Sequence, residues 1–302
     1  AATLQLSLPA YEVEMSNEPD NPKGMAQRGR VETNGVNWSG QETSFDGVLR
    51  PDVTEIATRF TRIRESVAAA SIASGRAEDA VAILLAAKFQ EPERVAAALR
   101  AGASRIGHNY IQQLTQSESE LRSSGAPSHR VHVIGHVQAN KAGKALRAAD
   151  CVETVDSFEL ASRLNRIQEG RISSGECDRW GDPVGRFDVM IQVNSAGSES
   201  QYGAPPEAVV DLAGEIAELP NLRLTGLMLI GANTDDVTAV AASHARVREL
   251  CDAIRAAGVS SCTELSMGMT NDMEIAVKEG STQVRVGTAV FGPRPFLRTS
   301  TR

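Results

Sequence analysis

The sequence predicts an α/β protein, a single closed (β/α)8 barrel of eight parallel strands with an N-terminal extension. Strand-like and helix-like patterns alternate from Thr54 to about residue 296, close to the roughly 250 residues typical of such barrels. The strand-like runs, such as "AVAILLAA", are apolar without alternation, as expected for parallel strands that are covered on both faces. An open doubly wound sheet would carry a glycine-rich fingerprint after its first strand, where this chain has "AAKFQEP".

The first predicted element is a helix over 54–74, because apolar residues recur at spacings of three and four from Ile56 to Val67 before Gly75 ends it. The predicted strands follow at 80–88, 104–110, 130–137, 151–156, 187–194, 222–231, 262–267 and 282–290. Helices are predicted between them near 92–101, 111–124, 140–149, 157–169, 205–219, 235–257 and 271–279. Because a helix separates nearly every pair of consecutive strands, we expect parallel pairing through right-handed crossovers.

Two segments fall outside this alternation. Residues 1–50 hold several prolines, asparagines and glycines and show no sustained period, so we expect an extension that is loose or docked on the surface. Residues 51–302 then form the barrel domain. The polar, glycine-rich interval 170–186 predicts a long loop before the fifth strand.

Composition limits the classes of function. The chain has 302 residues, 41% hydrophobic and 23% charged, and a net charge of −7, which does not support a nucleic-acid surface. Its longest apolar runs are far shorter than the roughly 20 residues of a membrane span. Because no basic segment is followed by an apolar stretch and a small-residue cleavage site, we expect a cytoplasmic protein.

The sequence gives no support to a metal site or a disulfide framework. The four cysteines, Cys151, Cys177, Cys251 and Cys262, are scattered without a CxxC pair, so we expect ordinary thiols. His132 and His136 lie two strand periods apart, but no third ligand is suitably placed. We therefore expect histidines that are hydrogen-bonded or in the core.

Lys88 ends the first predicted strand, at the end of a buried apolar run. Active sites of (β/α)8 barrels lie at the carboxyl ends of the strands. There a partly desolvated amine becomes a nucleophile near neutral pH and can form an imine with a carbonyl compound. Taken alone, a lysine whose amine simply extends into solvent is the simpler interpretation.

Other predicted strand ends also carry polar or flexible groups. They are Asn109 and Tyr110 on strand two, His136 on strand three, Ser266, Met267 and Gly268 on strand seven, and Arg285, Gly287 and Thr288 on strand eight. Thr270 or Asn271 should cap the helix after strand seven, and Asp156 with Ser157 should cap the helix after strand four.

Phosphate binds where glycine lets backbone N–H groups converge near a hydroxyl and a helix N-terminus, and barrels often hold it after strands seven and eight. Glycines in either segment alone could serve only as turns. Together with Lys88 they favour a phosphorylated aldehyde, for which pyridoxal 5′-phosphate is the obvious candidate.

At these residues the chain resembles the pyridoxal phosphate homeostasis proteins, small relatives of the alanine racemase barrel. The likeness runs from about Thr54 to Arg294, through "LLAAK", "GHNYIQQL", "HVIGHVQANK", "VETVDSFELASRLN", "IQVNSAGSESQYG", "LTGLMLIGA" and "ELSMGMTNDMEIAVKEGSTQVRVGTAVFG". The resemblance implies that Lys88 carries the cofactor as an internal aldimine. It also implies phosphate and ring contacts from Ser266, Arg285, Gly287 and Thr288, and a lining that includes Asn109, His136 and Met228.

The chain departs from the family pattern in two places within the motifs and in two longer segments. His108 stands where the family usually has glutamate, and Ala87 where it commonly has serine. The extension and the 170–186 interval have no counterpart in the compact family form. We expect these departures to change the surroundings of Lys88 and not the imine itself.

The resemblance implies a carrier more than a catalyst. The related racemase uses its lysine and a tyrosine that an additional β domain of a partner chain supplies, whereas this barrel ends near Gly292, leaving ten residues. Tyr110 is then the one evident second base. An arginine at the pyridine nitrogen would also weaken the electron sink, and Arg285 reaches either that nitrogen or the phosphate.

The first hypothesis is thus a monomeric protein that carries and buffers pyridoxal phosphate in vitamin B6 homeostasis, without established turnover and with pyridoxal-phosphate-dependent apo-enzymes as recipients. The alternative is a pyridoxal-phosphate enzyme with weak amino-acid racemase activity. A third possibility is a barrel that binds a phosphorylated sugar.

Overall fold

The computed structural model describes residues 52–195, 202–231 and 234–293. Eight strands form a closed barrel in which each is parallel to both neighbours and β8 pairs with β1. The strands are β1 (Ala82–Ala86), β2 (Arg105–His108), β3 (Arg130–Val133), β4 (Cys151–Val155), β5 (Phe187–Val193), β6 (Leu222–Leu229), β7 (Glu264–Ser266) and β8 (Gln283–Val286). The predicted fold class is confirmed, and the predicted extension over 1–50 lies outside the described residues.

The helices surround this barrel in chain order. They are α1 (Val53–Ala73), α2 (Pro92–Arg100), α3 (Ile111–Ser123), α4 (Ala142–Ala148), α5 (Phe158–Ser173), α6 (Val209–Ala217), α7 (Val237–Ala256), α8 (Met273–Lys278) and α9 (Thr288–Phe291). Two short 3-10 turns, Ala139–Lys141 and Pro206–Ala208, precede α4 and α6. No helix in the described ranges combines the length and the apolar composition that a bilayer crossing requires.

The first helix covers the side of the barrel where β8 meets β1. Asp52 caps α1 by accepting the Glu55 N–H at 2.7 Å. Its buried face presents Ile56, Phe60 and Val67. The helix packs against α2, α8 and α9, so it closes the shell outside this pair of strands.

Strand burial explains the uninterrupted apolar runs. Every residue of β4 and β5 is buried, because one side of each strand faces the barrel interior and the other faces helices. Each fully buried valine or leucine side chain contributes about 1.5–3 kcal/mol to folding. The exceptions are polar residues of the barrel interior, Glu153 and His132 among them, which are fully buried.

Several predicted boundaries were wrong. β8 ends at Val286 instead of residue 290, because Gly287 has the non-strand angles φ −124° and ψ −79° and α9 begins at Thr288. β3 ends at Val133 instead of residue 137. At Gly135 the chain passes so close to Asn109 that a Cβ would lie 2.2 Å from its carbonyl oxygen.

The shorter β3 also places His136 in the loop that follows it, so His136 does not share a strand face with His132. α5 extends to Ser173, which shortens the predicted 170–186 loop. Ser157 caps α5 by accepting the Leu160 N–H. Asp272, and not Thr270 or Asn271, occupies the N-cap position of α8, where its side chain makes no capping hydrogen bond.

Candidate functional site

Lys88 lies in a tight turn two residues beyond the end of β1. The Ala87 N–H donates to the Gly107 carbonyl at 2.9 Å, and the Gln90 N–H donates back to the Ala87 carbonyl at 3.1 Å. Between them Phe89 has φ +58°, in the left-handed region that large side chains rarely occupy. Such a conformation costs on the order of 1–3 kcal/mol and is concentrated at functional sites.

Two aromatic rings flank the Lys88 amine. Its Nζ lies 5.0 Å from the centroid of the Tyr110 ring and 5.3 Å from that of Phe89. The two rings are themselves 5.6 Å apart and tilted by 37°. Cations are attracted to such ring faces, and the rings displace water from one side of the amine. The Lys88 side chain is half-buried beside these two rings.

The turn between β7 and α8 is held against β8. Gly268 has φ +91°, and a Cβ there would lie 2.4 Å from Ala276 Cβ, so this position requires glycine. Its carbonyl accepts the Arg285 N–H at 2.9 Å. The backbone N–H groups of Gly268 and Thr270 have no acceptor among the described residues. These two donors are available to an anion.

A second set of free donors follows β8. The N–H groups of Gly287 and Thr288 make no hydrogen bond within the described part of the chain. Gly287 lies against the end of β1, because a Cβ there would be 3.3 Å from the Ala86 carbonyl oxygen. The structure therefore brings the β8 turn to within two residues of Lys88, as the predicted site requires.

Arg285 and Ser266 occupy the barrel interior beneath these turns. Arg285 Nη1 donates to the Ser266 carbonyl at 2.5 Å and to Ser266 Oγ at 2.9 Å, and its Nη2 donates to the Leu229 carbonyl at 2.5 Å. Met228, which pairs with Ser266 in register, is also fully buried. The Ser266 hydroxyl is thus committed to the interior instead of being free for a ligand.

Glu153 on β4 joins this interior network, and sequence reasoning assigned it no role. It accepts from Ser266 Oγ at 2.6 Å, from Gln283 Nε2 at 2.7 Å, and lies 2.6 Å from His132 Nδ1. Burial alone would raise the pKa of Glu153, but these bonds and the nearby Arg285 charge hold it below its usual 4.5. Burial lowers the pKa of Arg285 from its usual range, although Glu153 opposes that effect.

Asp272 fixes the β7–α8 turn from outside the barrel. Its Oδ1 accepts the Met269 N–H at 2.6 Å, and its Oδ2 lies 3.0 Å from Nε2 of His244 on α7. Burial would raise the pKa of Asp272, but His244 and the Met269 N–H lower it below its usual 3.8. Sequence reasoning missed this pair, whose two residues are 28 positions apart and which joins α7 to the turn before α8.

The remaining predicted residues lie around the open end of the barrel. His136 is exposed and stacks on Tyr202 with ring centroids 4.2 Å apart. The Tyr202 carbonyl accepts Gln192 Nε2 at 2.8 Å. Asn109 is half-buried directly after β2. No contact among the described residues joins His136 to Lys88, so its place in the site stays a prediction.

Comparison with known proteins gives this arrangement a family. The model of the alanine racemase N-terminal domain matches residues 66–295. The pyridoxal phosphate homeostasis protein of Escherichia coli (strain K12) is 30% identical over 252 residues, covering 82% of this chain and 100% of the relative. The protein of the same name from Pasteurella multocida is 33% identical over 247 residues, covering 80% of this chain and 99% of the relative.

Solved structures agree with this. A protein of Bifidobacterium adolescentis described as unknown is 35% identical, with a TM-score of 0.72, over 83% of this chain and 98% of its own. PipY of Synechococcus elongatus PCC7942, solved with pyridoxal phosphate bound, is 27% identical, with a TM-score of 0.65, over 78% of this chain and 100% of its own. Alanine racemase of Corynebacterium glutamicum, at 17% identity and a TM-score of 0.59 over 82% of this chain and 64% of its own, shares the fold. The chain therefore belongs to the pyridoxal phosphate homeostasis protein family.

Proposed function

We propose that this protein binds pyridoxal phosphate covalently through Lys88 and carries and buffers it in vitamin B6 homeostasis. The observation that carries the proposal is the position of the half-buried Lys88 amine beside a turn with free backbone donors at Gly287 and Thr288. When bound, the cofactor supplies an aldehyde that condenses with an amine and a phosphate that needs several N–H donors. PipY, which was solved with the same cofactor, supports the assignment.

Different residues at the open end of the barrel would bind the aldehyde end and the phosphate end of the cofactor. Phe89 and Tyr110 hold the Lys88 amine and exclude water from one side of it. The turns after β7 and β8 supply N–H groups for a phosphate dianion, and the exposed Thr288 hydroxyl adds a further donor.

The buried residues act indirectly in this proposal. Ser266 acts through Arg285, because its hydroxyl is already bonded within the interior. Met228 and Met267 supply apolar packing beside this network, since both are fully buried. Asn109 and His136 remain proposed lining residues.

Borohydride reduction and peptide mass analysis test this proposal. Protein loaded with pyridoxal phosphate should give a pyridoxyl adduct on Lys88, and Lys88→Ala should lose both the adduct and the yellow colour. Lys144→Ala, which removes an exposed lysine of α4, is the matched control and should retain both. An adduct on another lysine, or a colourless wild-type protein after loading, would contradict the proposal. A colourless wild-type protein would instead favour a phosphorylated sugar as the ligand.

A second candidate, weak amino-acid racemase activity, is favoured by one observation. The Tyr110 ring lies close enough to Lys88 for its phenol to serve as a second acid–base group. Racemisation, however, requires two groups on opposite sides of the substrate, whereas Tyr110 contacts the lysine itself. We therefore favour the carrier. Exchange of the alanine α-proton with solvent, catalysed by wild type and lost in Lys88→Ala, would reverse this preference.

We also propose a cytoplasmic monomer that delivers its cofactor to pyridoxal-phosphate-dependent apo-enzymes. The open end of the barrel supports delivery, because Tyr110 and Tyr202 remain exposed beside the site. Incubation of loaded protein with such an apo-enzyme should restore that enzyme's activity faster than release into solution allows.

A further inference from the structure

A cavity of about 290 Å³ lies at the end of the barrel opposite Lys88. Its wall includes the first residue of β3, the second residues of β5 and β6, and part of the segment between α5 and β5. Six arginines line it: Arg130, Arg147, Arg171, Arg179, Arg186 and Arg223. Three aspartates, Asp150, Asp178 and Asp188, also line the cavity, so its wall is net positive although the chain as a whole carries a net charge of −7.

Two of these arginines share one carboxylate. Arg223 Nε and Nη2 donate to the two oxygens of Asp188 at 2.7 and 2.8 Å, and Arg130 Nη2 donates to Asp188 Oδ2 at 2.7 Å. The arginine side chains are 53% and 40% exposed, whereas that of Asp188 is 7% exposed. Nη1 of both arginines makes no hydrogen bond with any described residue. The trio therefore has one uncompensated positive charge and free donors.

A second pair of arginines also shares one carboxylate at this cavity. Arg147 Nη2 and Arg171 Nε lie 3.0 and 2.9 Å from the two oxygens of Glu176. Arg147 is 57% exposed, and Arg171 is held below it by a 2.7 Å bond to the Leu146 carbonyl. Two cations again share one anion, and Arg147 presents its charge to solvent.

The rest of the wall comes from the polar interval 170–186, which has no counterpart in the compact family form. Arg179 anchors it, because Nη2 donates to the His129 carbonyl at 2.5 Å and to Asp150 Oδ2 at 2.6 Å. Asp178 caps the turn by accepting the N–H groups of Trp180 and Asp182. This segment forms one side of a half-open cavity at this end of the barrel.

We propose that this cavity binds a small phosphate-bearing anion, at a site separate from Lys88. Guanidinium groups present paired N–H donors that match phosphate oxygens, and they bind phosphate more strongly than a neutral donor would. Its volume falls near the lower end of the range for small-molecule sites. Four carboxylates face the six arginines: Asp150, Asp178, Asp188 and Glu176. Two positive charges therefore stay unneutralised, and the ligand is a compact phosphate compound carrying two negative charges.

The fluorescence of Trp180 reports on this site directly. Trp180 follows the lining residue Arg179, whose guanidinium lies 5.2 Å from its ring. The chain has two tryptophans, so Trp38→Phe leaves Trp180 as the sole reporter. Inorganic phosphate and pyrophosphate, titrated into the full-length protein at constant ionic strength, should each give a saturable change that sodium chloride and acetate do not.

Arg223→Gln and Arg147→Gln should each weaken phosphate binding by about tenfold or more, the loss expected for one hydrogen bond between charged groups. Each variant leaves its carboxylate paired with the other arginine, so folding should be preserved. Arg59→Gln, which removes an arginine paired with Glu55 on α1, is the matched control and should bind as wild type does. Calorimetric titration of whichever variant retains the wild-type unfolding temperature repeats the measurement without fluorescence.

Absence of saturable binding, or equal affinity in wild type and both cavity variants, would overturn the proposal. Acetate binding as tightly as phosphate would also overturn it. Lys88→Ala should retain phosphate binding here, and Arg223→Gln should retain the pyridoxyl adduct on Lys88. Failure of this site is thereby distinguished from failure of the proposed cofactor site.

Discussion

Glu118→Gln should reduce stability in a way that depends on pH. Glu118 on α3 is buried, with Oε2 3.0 Å from His129 Nε2 and 4.0 Å from Arg179 Nε. His108 Nε2 lies 3.9 Å from Glu118 Oε1, beyond hydrogen-bonding distance. Burial raises the pKa of Glu118, but His108, His129 and Arg179 outweigh it and lower the pKa from 4.5 to about 2.

The lowered pKa of Glu118 determines how much stability the substitution should remove. At about 1.4 kcal/mol per pH unit, the Glu118 charge contributes at most roughly 3.5 kcal/mol to stability when ionised in both states. Since the folded pKa is depressed, this contribution is complete above pH 4.5 and is lost as the pH falls toward 2. The pKa of His129 is raised above its usual 6.5 by Glu118, although burial opposes this. Its contribution is therefore complete below pH 6.5 and declines as the pH rises above that value.

Urea unfolding at pH 3, 5.5 and 8 measures both the loss of the Glu118 contribution at low pH and the decline of the His129 contribution at high pH. The difference in unfolding free energy between wild type and Glu118→Gln should be largest at pH 5.5 and should shrink at pH 3. Glu55→Gln, which breaks an exposed ion pair with Arg59, should give a much smaller difference at every pH. A wild-type advantage over Glu118→Gln that is the same at pH 3 and pH 5.5 would refute the reasoning.

Three further substitutions test the site. Glu153→Gln removes a buried carboxylate that offsets the Arg285 charge and should lower the unfolding free energy by about 3–5 kcal/mol, measured in urea at pH 7. An unchanged midpoint would contradict the interior network. Gly268→Ala places a Cβ against Ala276 at positive φ and should lower the unfolding free energy in urea by about 1–3 kcal/mol. Gly214→Ala on α6, where a Cβ meets no atom, is the control and should not destabilise the fold. Asp272→Asn weakens the hydrogen bonds that hold the β7–α8 turn and should reduce the affinity for pyridoxal phosphate, measured by absorbance titration. The adduct on Lys88 should still form. Unchanged affinity would show that binding does not depend on these hydrogen bonds.

Apolar runs in the sequence indicate which residues are buried, and this explains why some strand boundaries were predicted correctly and others were not. The strands were recognisable because parallel strands covered on both faces are continuously apolar. The same property extended β3 and β8 too far. Ile134 and Val290 are also buried, but one lies in a loop and the other in α9. Apolar residues continue through these turns, so apolarity alone does not mark where a strand ends.

The site was predictable where it depends on strand ends and not where it depends on pairing across the barrel. Lys88 and Gly287 follow β1 and β8, so parallel topology alone brings them together. Glu153 meets Ser266 across 113 residues, through the barrel interior. No local pattern specifies such a partner, but a carboxylate inside an apolar strand that is buried on both faces signals that one must exist.

The turn between β7 and α8 has its shape before any ligand arrives. Gly268 supplies a conformation that other residues resist, and Asp272 fastens the turn to α7 through His244. Ordering a loop on association consumes part of the binding free energy, and here little of that entropy remains to be lost. Loading and unloading can consequently proceed without refolding of this turn, which suits a protein whose cargo must leave as readily as it enters.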